Sequence, residues 1–132
     1  SGKAIIVEEG KVREMVNKEE LSTATLTGAE VIEGKDKFIV PGYIDIHVHG
    51  GGGSDVMDGD YEAINQIAIA HSRFGTTSFL PTIMTMSKDK IIRSLRSICE
   101  AVKKETVGAE ILGIHMEGPY INPEKKGAQK EE

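Results

Sequence analysis

Val40-Pro41-Gly42-Tyr43-Ile44-Asp45-Ile46-His47-Val48-His49-Gly50-Gly51-Gly52-Gly53 decides how this chain is read. Phe38, Ile39, Val40, Ile44, Ile46 and Val48 form an almost continuous apolar run. Such a run predicts a parallel strand covered on both faces. His47 and His49 are two positions apart, so a strand places both on one face with Cα atoms roughly 6.5–7 Å apart. Four glycines follow. They end the strand and let the backbone pass close to a neighbour. Two imidazoles aimed the same way at a strand's C-terminal end suit a metal such as Zn²⁺, which takes neutral His nitrogens.

The order of elements supports this placement. Asp60 to Phe74 carries Ile64, Ile67, Ala68, His71 and Phe74 at helical spacing, with Asp58 or Asp60 as the cap and Gly75 as the stop. His71 falls on the apolar stripe and reads as structural. Thr76 to Thr82 is a second strand closed near Pro81. Ser87 caps a second helix that runs to about Lys104, with Ile91, Ile92, Leu95, Ile98, Cys99 and Val102 on its apolar face. Lys103 and Lys104 suit the negative end of its dipole. Ala109 to Met116 is a third strand, and Glu117-Gly118-Pro119-Tyr120 sits at its end. Strands alternating with helices at this spacing predict a parallel sheet with right-handed crossovers. The pairs His47/His49 and His115/Glu117 then both lie at C-terminal strand ends, where parallel sheets and barrels keep their chemistry. A carboxylate beside two imidazoles completes a plausible metal shell. His115 shares a face with Glu117 by two-residue alternation and could orient the site, bond the substrate or pack inside.

Before residue 38 the texture differs. Lys3 to Val16 reads as a hairpin with Gly10 in the turn. Residues 17–25 read as a polar loop, Leu26 to Ile32 as a short strand or extended piece, and 33–37 as a turn. Ser1-Gly2 resembles the remnant of a tag or a cut, and 121–132 is a polar tail.

Composition narrows the classes. The 132 residues are 39% hydrophobic and 28% charged, which fits a soluble globular protein. A net charge of −5 without a basic cluster makes nucleic acid and anionic membrane poor partners. No apolar run approaches the ~18–20 residues of a membrane span, and no signal peptide is visible. The single Cys99 reads as a core residue that forms no internal disulfide. A reducing cytoplasm is the simplest compartment.

The motif Pro41-Gly-Tyr-Ile-Asp-Ile-His-Val-His-Gly50 resembles the first barrel strand of the amidohydrolase superfamily of metal-dependent hydrolases. Gly113-Ile-His-Met-Glu-Gly-Pro-Tyr-Ile-Asn122 and Lys125-Lys-Gly-Ala-Gln129 are similar to N-acetylglucosamine-6-phosphate deacetylases. Met57-Asp58 and Gly75-Thr-Thr-Ser-Phe-Leu-Pro-Thr82 are similar too. The resemblance implies an α/β fold built from the first three β/α units of a TIM-type (β/α)₈ barrel, residues 38–132. Residues 1–37 would be part of a small β-sandwich domain. It implies Glu117 as the main ligand of a divalent metal (Zn, Fe, Mn or Co), where many other amidohydrolases use a carboxylated lysine. His47 and His49 match a pair that holds a second metal in some members, so one or two metals are expected. Ala128 and Gln129, with His115, fall where members contact the sugar, although some members have His at the position of Gln129. The implied reaction removes acetate from N-acetylglucosamine 6-phosphate and leaves glucosamine 6-phosphate, in a full-length enzyme that is a homo-oligomer, a dimer.

A full (β/α)₈ barrel takes ~250 residues. The resemblance implies two more metal-binding histidines and a catalytic Asp, expected beyond residue 132. The chain thus reads as a truncated part of the enzyme, inactive and prone to associate when alone. Two other readings stay open. One is a different amidohydrolase acting on a cyclic amide or ring amine, which His47-x-His49 alone allows. The other is a non-catalytic metal-binding or assembly domain that is complete as it stands.

Overall fold

Lys3–Glu8 (β1) and Lys11–Asn17 (β2) pair antiparallel, as the alternation predicts. Glu9 and Gly10 make the tight turn with φ of 51° and 74°. Both central residues at positive φ match the twist of the flanking strands. The computed structural model describes residues 2–129, less the side chains of Ala24 and Thr25. The readings of Ser1 as a remnant and of residues 130–132 as tail lie outside that range. The chain divides into two units, Ser1–Ile39 and Val40–Glu132.

In the first unit the hairpin is the only strand pairing among the described residues. Residues 17–25 are not one loop. Lys18–Glu20 forms a 3-10 turn in which Asn17 and Glu20 cap each other, and Thr23–Leu26 (α1) is one helical turn. The strand expected at Leu26 to Ile32 is absent. The backbone N–H groups of Leu26 and Thr27 donate back to Ser22 and Thr23 instead, and Gly28 at φ 80° follows. Local bonds thus take up donors that a strand would need for a ladder.

The second unit is built on a parallel sheet. Tyr43–Val48 (β3) leads into two short strands, Gly50–Gly51 (β4) and Ser54–Asp55 (β5). These form a miniature hairpin whose turn is Gly52 and Gly53, at φ 62° and 87°. The four glycines therefore do more than end a strand: they return the chain so that the Val56 N–H donates to the His49 carbonyl at 2.8 Å. Tyr61–Ser72 (α2) follows, with Asp60 as the cap accepting from the Ala63 N–H at 2.8 Å. Asp58 closes the preceding 3-10 turn by accepting from the Asp55 N–H. Thr76–Ile83 (β6), Lys88–Lys104 (α3), Glu110–Ile111 (β7) and His115–Met116 (β8) complete the unit. β6 is central: β3 lies on one side and both β7 and β8 on the other, all parallel. No helix among the described residues is long and apolar enough to cross a membrane.

The core joins one face of this sheet to α2 and α3. Phe79, Ile83 and Val48 meet Ile64, Ile67, Ile91, Ile98 and Ala101 there. Among the described residues of this unit no helix covers the other face. Ile44 and Ile46 are 61% and 67% exposed. The expectation of one strand buried on both faces from Phe38 is corrected, while the open face is what three parallel strands with helices on one side leave to water. β3 begins only at Tyr43, and Phe38, Ile39 and Val40 are exposed. Among the described residues β3 pairs only with β6, as an edge strand, and helices cover one side of the sheet.

Three further expectations change. Phe74 lies past the helix end and is exposed. Cys99 is exposed and not core. α3 buries Ser94, Ser97 and Ala101 with Ile91 and Ile98, so its small side chains let it approach its neighbours. The flank with Cys99 and Val102 is left outside. The third strand is interrupted: Ile111 pairs with Phe79 and His115 with Thr82. Four steps along this strand thus answer three along β6, which is a one-residue bulge.

Candidate metal centre

Neighbours in register on parallel strands share a face. Phe79 and Ile83 face the helices, so Thr82 between them faces the open side. His115 is paired with Thr82 and shares that side. In an unbulged strand, His115 would sit on the face of Ile111, which packs against the core. β3 behaves likewise. Asp45 pairs with Phe79 and Val48 with Pro81, again one extra residue. That shift sends Val48 into the core and leaves His47 and His49, on either side of it, on the open face.

On that face three side chains converge. His47 Nε2 lies 3.0 Å from His49 Nε2 and 3.1 Å from Glu117 Oε2. His49 Nε2 lies 3.0 Å from the same Glu117 oxygen. These three residues are the cluster of possible metal ligands found among the described residues. Each is fixed from its own backbone or ring. The His47 N–H donates to Asp45 Oδ1 at 3.1 Å. The Glu117 N–H donates to the Ile83 carbonyl at 3.0 Å, and the Glu117 carbonyl accepts from the Thr85 hydroxyl at 3.3 Å. Gly118 has φ 92°, and a Cβ there would lie 2.1 Å from Thr85 Oγ1. The positive φ and the close approach of Thr85 thus require glycine directly after Glu117.

The donor chemistry fits a cation. His49 Nδ1 is 3.3 Å from the Thr82 carbonyl, which only accepts, so Nδ1 carries the proton. With Nδ1 so engaged, Nε2 is the atom that His49 turns to Glu117 Oε2 at 3.0 Å. A proton or a metal cation can sit between two such acceptor atoms. Ligand atoms of a tetrahedral Zn²⁺, each about 2.0–2.1 Å from the metal, are ~3.3 Å apart. The observed triangle would open by a few tenths of an ångström to meet that. Burial pushes the Glu117 carboxyl up. The hydrogen bond from His47 and the charges His49 and His47 can carry pull it down, and the net lies below the usual carboxylate range.

The other expected residues divide. His115 stacks edge-on against His47 with ring centroids 4.6 Å apart. Gln129 Nε2 donates to Glu117 Oε1, so the two carboxylate oxygens have different partners. The Gln129 Oε1 is buried without a hydrogen-bond partner among the described residues. Ala128 is exposed in the turn beside it. His71, read as structural, donates from Nε2 to the Gly50 carbonyl at 3.1 Å and stacks on Phe79. Sequence reasoning missed Thr82 and Thr85. Their only signal is position: a hydroxyl in or just past the C-terminal end of an apolar strand.

The family model described as Amidohydrolase family matches residues 38–132. The chain is 41% identical over 100 residues to the N-acetylglucosamine-6-phosphate deacetylase of Bacillus subtilis (strain 168), covering 74% of this chain and 25% of that protein. It is 39% identical over 102 residues to the N-acetylgalactosamine-6-phosphate deacetylase of Escherichia coli O157:H7, covering 77% and 27%. The crystal structure of N-acetylglucosamine-6-phosphate deacetylase from Pasteurella multocida superposes with a TM-score of 0.84 at 26% identity, covering 99% of this chain and 33% of that one. The chain spans about a quarter of the length of the curated relatives it matches.

Proposed function

The chain belongs to the amidohydrolase family, and from that premise we propose that it carries metal-binding residues of an N-acetylglucosamine-6-phosphate deacetylase. The observation that carries the reading is the convergence of His47 Nε2, His49 Nε2 and Glu117 Oε2 at 3.0–3.1 Å on the open face of the sheet. The parallel sheet would be the first three β/α units of a (β/α)₈ barrel, and the hairpin unit part of a β-sandwich. The curated relatives named above act on either of two epimeric sugars, so the substrate class is an N-acetylated hexosamine 6-phosphate, and N-acetylglucosamine 6-phosphate is the one proposed.

Glu117, His47 and His49 would hold the divalent metal, Zn, Fe, Mn or Co. When bound there, such a metal supplies Lewis acidity, polarising an amide carbonyl and lowering the pKa of water to about 7. The residues of this chain do the positioning. Gln129 occupies Glu117 Oε1 and so leaves Oε2 to the metal. Gln129 Oε1, without a partner among the described residues, offers an acceptor to a sugar hydroxyl or the acetamide N–H. His115 borders the same space. Proton transfer to the leaving amine would fall to an Asp outside residues 1–132. Products are glucosamine 6-phosphate and acetate, in a full-length homo-oligomer.

The test is acetate release from N-acetylglucosamine 6-phosphate, with the galactosamine epimer alongside. The 132-residue chain and a longer reading frame containing it are both supplied with divalent metal. Turnover by the longer protein alone is expected. Turnover of neither sugar by either protein sinks the deacetylase reading. Turnover by the short chain refutes the need for outside ligands.

A further inference from the structure

Thr82 is fully buried and meets four groups of the site. Its hydroxyl accepts from the Val48 N–H at 2.9 Å and donates to the Leu80 carbonyl at 3.2 Å. The same oxygen lies 3.3 Å from His115 Nδ1, and the Thr82 carbonyl lies 3.3 Å from His49 Nδ1. A hydroxyl has one hydrogen and two lone pairs. The three contacts of Oγ1 are all satisfied in one arrangement: the hydrogen goes to Leu80, and the lone pairs take Val48 N–H and an N–H from His115. If the hydrogen went to His115 instead, the Thr82 and Leu80 oxygens would face each other 3.2 Å apart in a buried place without a proton between them, which is costly.

We infer that Thr82 is a positioning residue that holds hydrogen on Nδ1 of two site histidines at once, His49 through its carbonyl and His115 through its hydroxyl. For His49 this turns Nε2 toward Glu117. For His115 it leaves Nε2 bare and makes the ring a hydrogen-bond acceptor. It therefore takes a hydroxyl or amide N–H of a ligand and not a carbonyl or phosphate oxygen. The tautomer assignment does not depend on the deacetylase reading. Only the ligand class offered to His115 rests on there being a substrate in this site, so the two fail separately.

The test uses metal-free protein labelled with ¹⁵N-histidine, about two pH units above the ordinary imidazole pKa of ~6.5. Two-bond ¹H–¹⁵N spectra tell Nδ1–H from Nε2–H rings. The expected result is Nδ1–H for both His49 and His115. Thr82→Val should move His115 toward Nε2–H while His49, held by a carbonyl, stays as it was, and Thr82→Ser should restore His115. A wild-type His115 in the Nε2–H form overturns the inference. So does a folded T82V in which His115 is unchanged or both rings shift together. If T82V does not fold, the wild-type and T82S spectra decide: Nδ1–H at His115 in both supports the assignment, and Nε2–H in either refutes it.

Discussion

Glu117 divides its two oxygens between different partners, Oε1 to Gln129 and Oε2 to the histidines. Glu117→Gln keeps the shape and removes the charge. Outer partners of a metal site typically cost 10–100-fold in affinity, so loss of this carboxylate should weaken Zn²⁺ binding by about 100-fold or more in a calorimetric titration. An affinity within a few-fold of wild type would remove Glu117 from the ligand set. Acid sensitivity of the metal-free protein gives a second check. The folded pKa of Glu117 is depressed by its histidine neighbours. Its stabilisation is therefore full above the unfolded carboxylate value of ~4.3 and fades as pH falls through the lower folded value. Denaturation midpoints measured downward from about pH 5 should fall less steeply for E117Q than for wild type, and parallel curves would refute the coupling.

At the scale of elements, capping and register matter most. Asp60 holds the Ala63 N–H at the start of α2, an interaction whose loss costs about 1 kcal/mol. Asp60→Ala should lower unfolding stability by that much in urea, with zinc affinity nearly unchanged because the site lies on β3 and after β8. The strand and helix types were legible from the sequence because apolar period and caps are local. The bulges were not. Each adds one residue to a strand, and each is defined only by the partner β6. Without them, alternation measured from Asp45 or Ile111 would put His47, His49 and His115 toward the helices. The sequence reading put each pair on one face, but it could not say which face.

For the whole molecule the uncovered side of the sheet dominates. Ile44 and Ile46 stand on it, exposed, along an edge strand with unpaired backbone groups. Exposed apolar edges drive association. The 132-residue chain alone should sediment as concentration-dependent oligomers, and Ile46→Lys should shift it toward monomer. Equal sedimentation of both would show that another surface associates.

Residues 47, 49 and 117 could be singled out from the sequence alone, because ligand-type side chains beside glycine at strand ends form a local pattern. The β-α-β-α-β order could be read too, since hydrophobic period is a property of consecutive residues. The same order predicted that Glu117 returns to the sheet end that carries His47, and only the tertiary structure set their contact, 70 residues apart in the chain, at 3.1 Å. Tertiary structure alone decided that Cys99 and Phe74 lie outside the core and that Thr82 holds two of the histidines. Those outcomes depend on strand register and on which helix flank finds a neighbour, and both are set by contacts between residues far apart in the chain.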